Sequence, residues 1–285
     1  MKISVALAVF NEESNISECL NSVKDIALEI VLVDGGSKDR TVELAKKYTE
    51  NVTVTSNPPI FHINKQKAID KCVGEWVLLL DADERITPKL AQEILKITDF
   101  SREQMEEYQK NLKGVDLFLR HQKLLEKRDG KIGESEGAFN AFFIPRVNYF
   151  LGKYLRYGGV YPDGVIRLFR RGSSYLPCKD VHEQMVVKGR VGWLENELNH
   201  LDSPTFSRYL KRNSRYIDLI AREYKEEDLP KNPQIFIQYV FFKPLSWFFL
   251  TQVRHKGFLD GFAGIVFSFF SALRFPRAYL RYIRK

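Results

Sequence analysis

Apolar residues gather in short, closely spaced runs along the first third of the chain, separated by polar stretches with helical spacing. Residues 3–9 (ISVALAV), 29–34 (EIVLVD), 52–55 (VTVT) and 76–81 (WVLLLD) read as strands, because near-continuous apolar runs rich in β-branched residues mark buried parallel strands. In the stretch from Glu13 to Val23, Ile16, Cys19, Leu20 and Val23 recur at intervals of three and four that line one helix face. "SKDRTVELAKKY" predicts a second helix, with Ser37 as its N-cap and Val42, Leu44, Ala45 and Tyr48 on one side. Strands and helices that alternate with short connections predict βαβ units. The expected class is therefore α/β, a mainly parallel sheet sandwiched by helices.

Further along, Thr87 and Pro88 open a long polar helix predicted to run to Asn111, with Thr87 as cap and proline at the first helical position. "VDLFLRHQ" and "DGVIRLFRR" read as strands, and the glycine-containing "EGAFNAFFIPR" and "LRYGGVYPDG" as loops at a working edge of the sheet. The character changes from Thr205. "TFSRYLKRNSRYIDLIAREY" sets Phe206, Tyr209, Leu210, Tyr216, Ile217 and Ile220 on one side and Arg208, Lys211, Arg212, Arg215 and Arg222 on a basic flank. Such a helix suits a membrane surface or packing on a domain equally well. Two strongly aromatic stretches follow. A membrane span needs roughly 20 continuous apolar residues, whereas Lys243 and Pro244 interrupt the first stretch and the second is uncharged only from Gly261 to Leu273. Both are expected to lie in the membrane interface and not to cross it.

Charge sharpens this division. From Leu201 onward the chain holds 15 Lys and Arg against 7 Asp and Glu, leaving 29 of each before it, so the net charge of +8 belongs to the C-terminal third. Arg274, Arg277, Arg281, Arg284 and Lys285, interleaved with Phe275, Tyr279 and Tyr282, suit anionic headgroups. The three cysteines, Cys19, Cys72 and Cys178, lie far apart without metal-type pairing and read as buried thiols in a reducing compartment. "MKISVALAVFNEE" reads as a strand and not as a signal peptide, which places the protein in the cytosol or on the cytosolic side of a membrane.

The fourth strand ends in Asp81, Asp83 and Glu84, and the second in Asp34. Ligands of open α/β sheets bind at the carboxyl ends of strands, so Asp34 and Asp81 would face one crevice. Carboxylates at i and i+2 can grip a hard divalent cation, Mg²⁺ or Mn²⁺, that neutralises a departing diphosphate. An acid pair at a strand end can also be a solvated turn.

"VFNEE", "VDGGSKDRT" and "NKQKAIDKCVGEWVLLLDADE", in that order, resemble the family-two glycosyltransferases of the GT-A fold. "YGGVYPDGVIRLFRR", "DVHEQMVVKGRVGWLENELNHLD" and "KGFLDGFAGIVFSFFSALRF" look like the branch containing bacterial lipopolysaccharide-core glucosyltransferases. The resemblance implies a GT-A catalytic domain over residues 1–200, with 1–95 binding the nucleotide sugar and 96–200 the acceptor, followed by a helical, membrane-associating region over 201–285. It implies a nucleotide-diphosphate sugar, a UDP-sugar, as donor. Phe10, Asn11, Glu12, Asp34 and Gly35 would form the nucleoside pocket, with Asp34 accepting from ribose or base, and Gly35 and Gly36 letting the backbone turn sharply. Lys65 and Lys67 would reach the diphosphate, although the family often has Asn near Gln66. Asp83 would hold Mn²⁺ or Mg²⁺. Asp81, with Ala82 beside it, would hold the metal, ribose or a metal-bound water.

Inverting transfer needs a base opposite the leaving group, because a hydroxyl is a weak nucleophile. The resemblance places it at Glu183, with Asp180 as the alternative and His182 orienting the base or touching the acceptor. His200 is a third metal ligand or a structural histidine. Asp163 and Arg167 line the acceptor side, or Arg167 is an internal ion-pair partner. The implied acceptor is a lipid-linked or lipopolysaccharide-type glycan on the cytoplasmic face of the bacterial inner membrane, with an anionic surface held through residues 205–285 and no nucleic acid. A nucleic-acid- or lipid-binding protein without transferase activity would explain the basic tail but leave the acids unused. A dinucleotide-binding oxidoreductase is excluded because "AVFNEES" lacks G-x-G-x-x-G.

Overall fold

The apolar runs of the first third all become strands. In chain order they and their helices are β1 (Ile3–Val9), α1 (Ile16–Val23), β2 (Glu29–Asp34), α2 (Thr41–Ala45), β3 (Val52–Val54), α3 (His62–Asp70) and β4 (Trp76–Leu80). The computed structural model describes residues 2–179 and 184–284. β1 pairs in parallel with β2 and β4, and β2 with β3. Successive side chains alternate across the sheet. Ile3, Val5 and Leu7 join Trp76, Leu78 and Leu80 in one core with α1, while Ala6, Val77 and Leu79 join Ala68 and Ile69 of α3 in the other. Both faces are apolar, so a register slip of one residue would still bury the strands but misfit both cores.

The chain continues through β5 (Glu84–Ile86), α4 (Pro88–Thr98), α5 (Arg102–Lys110), α6 (Val115–Asp129), β6 (Phe139–Phe150), β7 (Lys153–Leu155), β8 (Asp163–Arg170), β9 (Ser174–Tyr175), β10 (Val186–Val187), β11 (Arg190–Trp193) and β12 (Leu198–Ser203). The main sheet has the order β3-β2-β1-β4-β8-β6-β12-β5, with β7 and β11 also on β6. β8 runs antiparallel to both β4 and β6, so the sheet is mixed: parallel through β4 and largely antiparallel beyond it. The α/β class expected from the sequence is the one observed.

Three local expectations are corrected. "VDLFLRHQ" is the start of α6 and not a strand, and of its apolar residues only Phe118 is buried. "EGAFNAFFIPR" contains most of β6, whose Ala141, Phe142, Phe143 and Ile144 are fully buried. The helix predicted over Pro88–Asn111 breaks into α4 and α5, because Ser101 opens α5 with a reciprocal cap: its hydroxyl accepts from the Gln104 N–H, and Gln104 Oε1 from its own. Thr87 caps α4 as anticipated, but Ser37 does not cap α2.

Two compact units result, Met1–Arg146 with Pro162–His200, and Val147–Tyr161 with Leu201–Lys285. The second contains α7 (Phe206–Glu226), α8 (Pro233–Ile237), α9 (Lys243–Phe249), α10 (Gly261–Ala272) and α11 (Arg274–Ile283), with π-helical turns at Gln238–Phe242 and Leu250–Arg254. Ile217 and Tyr224 of α7 pack with Tyr239, Tyr279 and Tyr282. Tyr216 is exposed instead of facing this core. Asp260 ties the 147–161 segment to the helices by accepting from the N–H groups of Arg156 and Tyr157.

In the first unit, Trp193 stacks between Phe118 and Phe143 at centroid distances of 4.8 and 4.6 Å, with His121 edge-on to it. His121 Nε2 accepts from the Gly164 N–H at 3.1 Å, and burial pulls the imidazole below its ordinary 6.5. The neutral form is therefore the folded form. Stability held through His121 is full above that ordinary value and falls as pH drops below it, where the unfolded chain takes up the proton more readily. Acidification from about pH 7.5 to about 5.5 should lower the melting temperature less in His121→Gln than in wild type; equal losses would remove His121 from the pH response.

Candidate functional site

The carboxyl ends of β1 and β2 are laced together by backbone donors. Asn11 adopts a left-handed φ of 54°, a conformation asparagine tolerates well. Its N–H donates to Ser37 Oγ and its Oδ1 accepts from the Lys38 N–H, both at 2.8 Å. The Glu12 N–H donates to Thr41 Oγ1, while its carboxylate accepts from Asn15. Phe10 stands exposed at this edge. Asp34 is fully buried and accepts from the N–H groups of Gly36 and Ser37 and from the Ser37 hydroxyl. The oxygens of Asp34, the residue expected to meet ribose or base, hold the loop, which needs Gly36 at a φ of 83°. Gly35 lies buried against Asn57, whose Cβ would be 3.2 Å from an added side chain.

At the end of β4 the acids enter a chain of alternating charges. Lys65 of α3 pairs with Asp81 Oδ1. Arg167 of β8 reaches Asp81 Oδ2 at 2.5 Å and Glu84 Oε1 at 2.8 Å. Arg146 of β6 then bridges Glu84 at 3.2 Å and Asp163 at 2.7 Å. Glu84 also accepts from the Asp81 N–H, which fixes the turn between the two acids. Three cations and three carboxylates thus run in the order Lys65, Asp81, Arg167, Glu84, Arg146, Asp163. Burial works to raise the Asp81 carboxyl, but Arg167 and then Lys65 outweigh it and hold it well below the usual carboxylate range. Burial likewise opposes the Arg167 charge, and Asp81 and Glu84 overcome it.

This arrangement relocates several expected residues. Asp81 is the anion between two cations, Lys65 and Arg167. Arg167 and Asp163 belong to the ion chain, the internal-partner alternative for Arg167. Lys65 is buried and bound to Asp81, whereas Lys67, two residues on and so on another helix face, is exposed with its ammonium 3.4 Å from Thr55 Oγ1. Gln66, where the family pattern departs, accepts from the Leu176 N–H. Ala82 is buried.

Asp83 finds a different partner. β12 pairs antiparallel with β5 in a register that sets His200 opposite Glu84, and His200 Nε2 comes within 3.6 Å of Asp83 Oδ2. Among the described residues no three His, Cys, Asp or Glu side chains gather as a metal cluster. A carboxylate whose ion takes its remaining ligands from waters and phosphate oxygens is the usual way a protein holds Mg²⁺ beside a nucleotide, and the imidazole beside it is a softer donor than so hard an ion prefers. Asp180, His182 and Glu183, the expected base and its neighbours, lie outside the described residues.

A cleft of about 280 Å³ opens beside the ion chain, lined among others by Phe61, His62, Lys65, Asp81, Arg146 and Arg167, and also by Gln184. Arg146, Phe61 and His62 carried no role in the sequence reading. A lone arginine in the apolar run "AFFIPRVNYF" was the available signal, since arginine is rarely buried unless paired.

The sequence model of the family described as Glycosyl transferase family 2 matches residues 4–143. Those residues, just under half of the chain, carry a domain of that family. An uncharacterized glycosyltransferase of Rickettsia typhi is 39% identical over 94 residues, which are 33% of this chain and 32% of that protein. The match thus spans about a third of the length of that relative. The lipopolysaccharide core biosynthesis glycosyltransferase LpsC of Rhizobium meliloti is 26% identical across 96% of this chain and 92% of its own length. Among solved structures, S. aureus TarS 1–349 in complex with UDP is 18% identical, covers 90% of this chain and 74% of that one, and superposes with a TM-score of 0.42.

The ion ladder predicts the effect of removing its centre. Arg167→Ala leaves Asp81 and Glu84 facing each other without their shared cation and should cost about 3–5 kcal/mol in urea unfolding. Arg167→Lys, which cannot reach both carboxylates as a fork does, should recover only part of this. A loss below about 1 kcal/mol in the alanine variant would class the ladder with solvent-screened pairs.

Proposed function

We propose that this chain is an inverting, metal-dependent hexosyltransferase that takes the sugar from a UDP-sugar and places it on a hydroxyl of a lipid-linked or lipopolysaccharide-type glycan. It works at the cytoplasmic face of the bacterial inner membrane. The observation that carries the reading is the Asp83–His200 pair, two residues on from Asp81, which lines a cleft together with Lys65, Arg146 and Arg167. The name of the Rhizobium relative, which aligns over nearly its whole length, supports the class of acceptor.

In the reaction the acceptor oxygen attacks the anomeric carbon, the bond from that carbon to the diphosphate oxygen breaks, and the hydroxyl proton passes to a carboxylate. Glu183 is that carboxylate, with Asp180 as the alternative and His182 orienting it. Gln184, the next residue, lines the cleft. Asp83 and His200 hold a Mn²⁺ or Mg²⁺ ion, which when bound supplies positive charge to the departing diphosphate. Phe10, Asn11, Glu12 and Gly35 shape the nucleoside side, and Asp34 keeps that loop closed from within. Lys67, exposed on α3, is the cation available to the diphosphate, while Lys65, Asp81, Arg146 and Arg167 keep fixed charges under the cleft without reorganising.

Binding and chemistry are tested separately. A thermal-shift panel of nucleoside diphosphates, each with and without Mn²⁺, should show a manganese-dependent rise with UDP, because a ligand that binds only the folded state raises the melting temperature. Asp83→Ala should lose the manganese-dependent part and keep the melting temperature of the free protein; an undiminished manganese effect would remove Asp83 from the metal site.

Glu183→Gln should retain the UDP-induced shift while turnover with the natural glycolipid falls on the order of a hundredfold or more. A mild loss would pass the role of base to Asp180.

A further inference from the structure

The helices of the second unit hide polar groups and display aromatic ones. Gln252, buried, donates from Nε2 to Ser268 Oγ at 2.6 Å and to the Gly264 carbonyl at 3.1 Å, and Ser268 itself is almost fully enclosed. Trp247 Nε1 donates to Ser271 Oγ at 3.0 Å. The two helical runs meet so closely that a Cβ on Gly257 would lie 2.8 Å from Gln252 Nε2 and 2.9 Å from the Thr251 carbonyl oxygen. Facing outward are Phe242, Leu245 and Phe249 from one helical run and Phe262, Ile265 and Phe269 from the other, with exposures between 45% and 77%. Both triplets repeat at intervals of three and four, which sets each on one helix face.

In water the hydrophobic effect drives the opposite sorting. Small residues and polar side chains at the helix contact, with large apolar ones outside, are how helices pack in hydrocarbon. We propose that this face is buried in the acyl region of an anionic bilayer, as an element that enters one leaflet without crossing it. The proposal deepens the membrane part of the functional reading and rests on it.

Length decides between entering and crossing. Gly257–Ile283 is long and apolar enough by length and composition to span a membrane. Its second half is already committed, however: Tyr279 and Tyr282 are buried against α7, and Arg281 pairs with Asp218 and bonds Ser214. Only α10 remains, about 18 Å at 1.5 Å per residue, against a hydrocarbon core of about 30 Å. The other run carries Lys243 between its exposed aromatics. Between the two runs, Arg254 and Lys256 are exposed, placed to meet lipid phosphates.

Flotation of the full chain with vesicles of phosphatidylglycerol and phosphatidylethanolamine tests this. Binding should persist in about 1 M NaCl, where charges are screened beyond roughly 3 Å. The double variant Phe242→Ser/Phe262→Ser, altered only at exposed positions, should bind about tenfold more weakly or less, because two buried aromatic side chains are lost. Phe262→Trp should gain fluorescence that acyl-brominated lipids quench. Complete release by salt, unchanged binding of the double variant, or an unquenched Trp at position 262 would each overturn the proposal. So would a concentration-dependent dimer that the double variant abolishes while vesicles bind neither protein, since the occupant would then be a second copy. The UDP-induced melting shift, read on the same samples, keeps failure of the membrane face separate from failure of the transferase reading.

Discussion

A carboxylate at the end of a buried strand stays charged only if cations meet it, and at Asp81 they do so from two sides. Everything around the cleft follows from that requirement. Lys65 must come from α3, Arg167 from β8 and Arg146 from β6, so one helix and two strands far apart in sequence are fixed by reference to the same two acids. Burying charges is costly, and a ladder that alternates sign along its length limits the cost by giving each group an opposite neighbour. Rigid charge in place before a ligand arrives is also what transition-state stabilisation needs.

The other end of the site is built with backbone and not with charge. Asp34 turns its carboxylate inward to hold three donors of its own loop, and Asn11 and Glu12 clip the β1 loop to Ser37, Lys38 and Thr41. That edge of the sheet is therefore shaped by loops locked to each other, with the Phe10 ring left exposed.

Periodicity made the parallel half of the sheet readable. β1, β2 and β4 are buried on both faces, so their runs are continuous and unambiguous, and Thr87 and Pro88 announced α4. The antiparallel half was less legible. In α6, Val115, Leu117 and Leu119 alternate like a strand, and only the run of helix formers after them, through Lys127 and Arg128, outweighs that signal. Glycine and asparagine disguised β6, whose central position in the sheet overrides its composition. Of the site, the acids and His200 were visible as residue types. That Asp81 would be spent on Arg167 while Asp83 met His200 depends on strand order and register, which no local pattern records.

The pairing of β5 with β12 has a bearing on how the protein is made. Asp83 and His200 are more than a hundred residues apart, and the strand that joins them is the last of the sheet to be synthesised. Contacts of such long sequence separation form late, since the loop between them must be closed first. A chain still on the ribosome can thus assemble β1 to β4 and their helices while the Asp83–His200 pair does not yet exist. Any translation product truncated before β12 would retain the parallel core and lack that pair.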